Sequence, residues 1–184
     1  IGQAFALGLA QAGARVAAVD LTPATDTVAQ IKAAGGQAIA PVCDVTDESA
    51  VQAMVEQVGR ELGRVDVLVN NAGAYPFAPI EGCDEAFLER IFRLNVYGVF
   101  HCTRAVVPVM KAQGGGKIIN ISSATFHVGA MMASAYVATK GAVIGMARAL
   151  ARELGPHNIQ INVITPGLTQ TPGVKESELI SDAM

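Results

Sequence analysis

Short apolar runs alternate with longer amphipathic stretches along all 184 residues of the chain, and no other feature restricts its fold as strongly. Val16-Ala17-Ala18-Val19, Val65-Asp66-Val67-Leu68-Val69, Ile118-Ile119-Asn120-Ile121 and Ile159-Gln160-Ile161-Asn162-Val163-Ile164 are too short for helices and rich in β-branched side chains. Between them apolar residues recur at the spacing that lines one helix face. The expected order is a helix at the start, strand Arg15–Asp20, helix Ala24–Ala34, strand Gln37–Val42, helix Asp47–Leu62 and strand Val65–Val69. A long helical stretch from Asp84 to Lys111, bent near Asn95, precedes strand Lys117–Ser122, helix Ala133–Leu154 and strand Ile159–Ile164. In the opening helix Ile1, Phe5 and Leu9 share a face, with Gly13 as the stop. Strand followed by helix, repeated, predicts an α/β fold: a doubly wound parallel sheet in three α/β/α layers.

With 51% hydrophobic residues, 16% charged residues and no tryptophan, the chain has the material for one globular domain over residues 1–184. A net charge of -3 and dispersed Lys and Arg argue against a nucleic-acid partner and leave a small molecule as the expected one. Cys43, Cys83 and Cys102 are odd in number and lack CxxC spacing, so they read as packing residues in a reducing compartment, the cytoplasm. Charged residues break every apolar stretch before the roughly eighteen residues a membrane span needs, so no membrane association is expected. The apolar opening lacks the basic leading region of a signal peptide and reads as a helix. No cluster of metal-ligand residues is apparent, and His101 and His157 have no constellation around them.

The chemistry-bearing segment is Ser134-Ala135-Tyr136-Val137-Ala138-Thr139-Lys140. Tyr136 and Lys140 stand four residues apart and project from one helix face. A fixed ammonium beside a phenol favours the phenolate, which suits Tyr136 to general acid/base work, although a surface pair has the same spacing. Ser123 lies thirteen positions before Tyr136, where a buried strand ends in hydroxyls. Strand ends are where parallel α/β sheets place their chemistry.

Three further motifs fall in order around this pair: Asn70-Asn71-Ala72-Gly73 after a strand, Asn95 within Leu94-Asn95-Val96-Tyr97-Gly98, and Pro166-Gly167 after the strand ending at Ile164. Together the motifs resemble the classical short-chain dehydrogenase/reductase family along the whole chain. The resemblance implies a Rossmann-type fold and a catalytic tetrad of Asn95, Ser123, Tyr136 and Lys140. Tyr136 would exchange a proton with the substrate oxygen and Ser123 would orient that oxygen. Lys140 would act on Tyr136 and grip the nicotinamide ribose, and Asn95 would hold a water in a proton relay. The thirteen-residue spacing selects Ser123 over Ser122, and His127 reads as a pocket-shaping residue.

The family's glycine-rich phosphate loop is matched only at its end, by Ile1-Gly2. The first strand and the terminal elements are expected to be missing, so the reading is of a fragment of a longer chain, poorly folded alone. In the family's strand order the first strand joins strands two and three to strand four.

NAD is the expected cofactor. Gly2 opens a helix whose N-terminus would face a pyrophosphate. Asp20 ends a strand eighteen residues later, where a carboxylate accepts from ribose hydroxyls and repels a 2'-phosphate, or else caps a turn. Leu21 and Thr22 follow it rather than a cation, which disfavours NADP. By resemblance Asp44 and Val45 would flank the adenine, with a helix cap as the alternative for Asp44, and Asn71, Ala72 and Gly73 would line the adenosine side. Pro166, Gly167, Thr169 and Thr171 would hold the nicotinamide end, with Tyr136 and Lys140 also touching the cofactor.

The implied activity is interconversion of a secondary alcohol and a ketone by hydride transfer. The alternatives are an acyl-carrier-protein ketoreductase using NADPH and a non-catalytic nucleotide-binding fragment. The loops Ala74–Phe77 and Thr125–Met132 are largely apolar, which favours a hydrophobic substrate. Small and apolar residues on the Tyr136 helix, including Ala142, Val143, Gly145, Met146 and Ala149, suggest contact between subunits in a homodimer or homotetramer.

Overall fold

The computed structural model describes residues 1–171. Helix α1, Gly2–Gln11, stops before Gly13, which takes φ 91, a conformation that disfavours any side chain. Its packed side is Ala6, Leu7, Leu9 and Ala10, so the expected face of Ile1, Phe5 and Leu9 is rotated, and Ile1 is exposed.

Strand β1, Val16–Ala17, pairs in parallel with β2, Ala38–Ile39, and helix α2, Thr25–Ala33, connects them. A bridge between Asp20 and Val42 carries the pairing further, so the two strands span nearly the expected lengths with an interruption. Helix α3, Glu48–Leu62, starts at Asp47, whose carboxylate accepts the N–H groups of Ser49 and Ala50 at 2.8 and 3.1 Å. Asp44 is therefore not the helix cap. It accepts the Thr46 N–H at 2.8 Å in the preceding turn. Gly63 closes α3 at φ 84.

Strand β3, Val67–Asn70, leads to helix α4, Glu85–Phe92, capped by the Asp84 carboxylate on Phe87 N–H at 2.7 Å. The bend expected near Asn95 is a π-turn over Arg93–Tyr97, followed by α5, Gly98–Ala112. Strand β4, Gly116–Ile121, a short helix α6, Thr125–Val128, and the long helix α7, Ser134–Leu154, come next. Strand β5, Ile159–Ile164, has the bounds the sequence pattern predicts.

Among the described residues all pairings are parallel. Strands β3, β4 and β5 form one sheet in that order, and β1 and β2 form another. The main core lies between α3, α5 and the three-stranded sheet, where Val51, Val55, Val58 and Leu62 meet Val106, Met110, Ile118 and Ile159. Truncating a side chain as buried as Ile118 to Ala costs about 2–5 kcal/mol in such cores. Asn70 is a polar insertion in this region, donating to Asn120 Oδ1 at 2.8 Å and Thr103 Oγ1 at 3.2 Å. Among the described residues no helix is long and apolar enough to cross a membrane.

Candidate active site

Parallel pairing brings the carboxyl ends of β3, β4 and β5 to one edge of the sheet. Asn71-Ala72-Gly73 leaves the end of β3, Ser122 and Ser123 follow β4, and Pro166 follows β5. Helix α7 is tied to that edge at the turn carrying the Tyr/Lys pair, because Ser122 Oγ donates to the Lys140 carbonyl at 3.0 Å. Ser122 is thus a buried anchor for α7.

Lys140 is 6% exposed, an unusual setting for an ammonium, and its Nζ donates to the Ile121 carbonyl at 2.9 Å. The same Nζ lies 5.6 Å from the centre of the Tyr136 ring. Burial lowers the Lys140 pKa from 10.5 to about 8, so at neutral pH the group keeps its charge beside the phenol. Tyr136 is half-buried, one helical turn away on the same face.

Asn95 is 1% exposed, and the π-turn aims its amide at the loop after β3. Its Oδ1 accepts the Ala74 N–H and its Nδ2 donates to the Ala74 carbonyl, both at 2.8 Å, as a neighbouring strand would. Nδ2 also donates to Thr139 Oγ1 at 3.1 Å, linking this loop to α7. The Asn95 side chain is therefore engaged with Ala74 and Thr139. Gly73 sits between the two: a Cβ there would come 3.0 Å from Asn95 Oδ1 and 3.6 Å from Lys140 Nζ. Ala72 lies beside it in the same loop, exposed.

Ser123 is 8% exposed, and its Oγ accepts the Thr125 N–H and hydroxyl at 3.2 and 2.8 Å. Two groups outside the expected set emerge here, Thr125 and Thr139. The only sequence signal for either was a hydroxyl close to a motif residue. His127 sits on α6 with its ring edge-on to Phe126, 5.1 Å between centres. The loop before α7 is fastened to the loop after β3 by the Ala78 N–H, which donates to the Met132 carbonyl at 2.8 Å. Met132 adopts φ 59, a conformation uncommon outside glycine, to present that carbonyl.

The residues expected to hold a cofactor lie at the start of α1 and after β1, β2, β3 and β5. Gly2 begins α1 without a side-chain cap, so its first N–H groups are open to an anion, and a Cβ at Gly2 would come 2.7 Å from Asn71 Nδ2. Asp20 is exposed after β1, with Oδ1 accepting the Leu21 N–H at 2.7 Å. Val45 packs against Gly98 and its carbonyl meets His101 Nδ1 at 3.0 Å. The Pro166 carbonyl accepts the Ala124 N–H at 2.9 Å, and Thr169 Oγ1 donates to the Gly167 carbonyl at 3.2 Å. Thr171 is the last described residue.

A model of the short chain dehydrogenase family matches residues 1–179. The chain belongs to that family. It is 36% identical to 2-dehydro-3-deoxy-D-gluconate 5-dehydrogenase of Dickeya dadantii over 96% of its own length and 70% of that protein. Its fold matches that of a 7α-hydroxysteroid dehydrogenase complexed with NADH and 7-oxo glycochenodeoxycholic acid, at TM-score 0.89 and 36% identity, covering 92% of this chain and 67% of that one. An NAD+-bound xylitol dehydrogenase matches at TM-score 0.86 and 35% identity, covering 94% and 68%. The short-chain dehydrogenases are oxidoreductases, and the parallel α/β fold described above is theirs. The open α1 N-terminus, the exposed Asp20 carboxylate and the side-chain-free approach at Gly73 fit a dinucleotide lying across the strand ends.

Proposed function

We propose that this short-chain dehydrogenase interconverts a secondary alcohol and a ketone, with NAD as cofactor and Asn95, Ser123, Tyr136 and Lys140 as its catalytic groups. The observation that carries this reading is Lys140, a buried amine facing Tyr136 with its Nζ anchored to the Ile121 carbonyl. When bound, the nicotinamide ring accepts or supplies the hydride. In oxidation Tyr136 takes the proton of the substrate hydroxyl, and in reduction it returns a proton to the carbonyl oxygen. Lys140 places its amine 5.6 Å from the Tyr136 ring and would donate to the nicotinamide ribose hydroxyls. Ser123 donates to the substrate oxygen, a contact that strengthens as negative charge gathers there. Asn95 fixes the loop after β3 through Ala74 and serves a water relay from Lys140 to solvent.

Gly2 would meet the pyrophosphate, Asn71, Ala72 and Gly73 would line the adenosine side, and Asp44 and Val45 would flank the adenine. Asp20 accepts from the adenosine ribose and disfavours a 2'-phosphate, with exposed Leu21 rather than a cation after it. Pro166, Gly167, Thr169 and Thr171 hold the carboxamide end. The substrate is apolar, a reading supported by the loops Ala74–Phe77 and Thr125–Met132, where Tyr75, Phe126, Val128, Met131 and Met132 are exposed. We assign a homodimer or homotetramer, because Tyr97 and Phe100 are exposed along the π-turn and α5, and Gly145 and Ala149 along α7. Val143, expected on that face, is instead fully buried.

The deciding experiment follows reduced nicotinamide by absorbance with NAD and a panel of apolar secondary alcohols. Turnover that falls at least a hundredfold in Tyr136→Phe is the expected result. Turnover undiminished in Tyr136→Phe would refute the assignment.

A further inference from the structure

Ser123 is held by a neighbour outside the tetrad. A serine hydroxyl has one proton to donate and two lone pairs with which to accept. The Thr125 main-chain N–H fills one acceptor position at 3.2 Å, and the Thr125 hydroxyl fills the other at 2.8 Å. The first contact is a local turn that any residue but proline at 125 would make. The second requires a hydroxyl there. Thr125 is itself firmly placed, since the next ring, Phe126, packs on Gly141 of α7, where a Cβ would come 2.7 Å from Phe126 Cε2. On its other side the Ala124 N–H is fastened to the Pro166 carbonyl at 2.9 Å.

We propose that Thr125 is a positioning residue whose hydroxyl saturates the Ser123 oxygen as an acceptor and thereby commits the Ser123 proton to the substrate oxygen. This rests on the reading of Ser123 as the substrate-oxygen donor. Without the Thr125 hydroxyl, the Ser123 O–H has a vacant lone pair and rotates among alternatives, so it must be reoriented before each turnover. With it, the donor is preorganised where charge develops.

The test compares Thr125→Val, which keeps shape and main-chain N–H, with Thr125→Ser, which restores a hydroxyl. Thr125→Val should lower kcat and kcat/KM together by about tenfold, a fraction of what losing a whole oxyanion donor costs. NAD affinity and the thermal midpoint should stay at wild-type values, and Thr125→Ser should recover most of the loss. In a Ser123→Ala background, Thr125→Val should cost nothing further, because its effect runs through Ser123. A full tenfold loss persisting in that background, or no recovery with Ser, overturns the proposal. Neutron diffraction of the wild-type protein reads the same contact without turnover. The Thr125 deuterium should lie on the line to Ser123 Oγ and the Ser123 deuterium should point into the cleft, whereas a Ser123 deuterium aimed at Thr125 overturns the proposal. Should no alcohol be turned over, the dehydrogenase reading fails while the neutron result still decides the role of Thr125.

Discussion

Lys140 Nζ lies 5.6 Å from the centre of the Tyr136 ring and is held there by the Ile121 carbonyl at 2.9 Å. A charge in that place serves the phenol and burdens the fold at once, and the two effects separate with pH. Burial lowers the Lys140 pKa from 10.5 to about 8, so between those values the folded chain holds fewer protons than the unfolded one. Stability linked to Lys140 therefore rises as pH climbs from 8 to 10.5. Below that window the buried charge costs roughly 3 kcal/mol. Chemical denaturation of wild type and Lys140→Met should show the difference between them moving in favour of wild type by about that amount across the window. A constant difference would refute the buried charge.

Gly73→Ala should impair turnover by tenfold or more while costing only about 1–3 kcal/mol of stability. The added methyl would meet Asn95 Oδ1 at 3.0 Å and stand 3.6 Å from Lys140 Nζ, so it intrudes on the site itself. Paired kinetics and thermal unfolding check this, and wild-type kinetics would show that the space is free.

Asn95→Ala should destabilise the protein by about 2–4 kcal/mol, because the Ala74 N–H and carbonyl lose the partner that pairs with both. Urea denaturation reads the cost. A loss below about 0.5 kcal/mol would mean that water replaces the amide without penalty.

Asp20→Ser should raise the ratio of kcat/KM with NADP to that with NAD by at least about tenfold, since it removes both a ribose acceptor and a charge facing a 2'-phosphate. An unchanged ratio would reduce Asp20 to its visible contact with the Leu21 N–H.

Much of this architecture is readable from local pattern. The bounds of β5 follow from Ile159, Ile161 and Val163 alternating with polar residues, and α7 from one unbroken amphipathic run. Tyr136 and Lys140 are legible as a pair because helix geometry alone sets their spacing. Other features depend on residues far apart in the chain. Asp44 and Asp47 are equivalent capping candidates by type, and only the path of the turn gives the N–H groups of α3 to Asp47. The sequence pattern allows a bend near Asn95, but the π-turn is coupled to the pairing of Asn95 with Ala74, twenty-one residues away.

By itself the sequence determined the order of strands and helices, the parallel sheet and the residues with acid/base potential, because these depend on periodicity and on side-chain type. The tertiary structure decided how those residues are poised: that Lys140 is buried against a strand carbonyl, that Gly73 must lack a side chain, and that Thr125 occupies the acceptor side of Ser123. Hydrogen bonds and desolvation act over a few ångströms in space, and neighbours in space are assigned by packing.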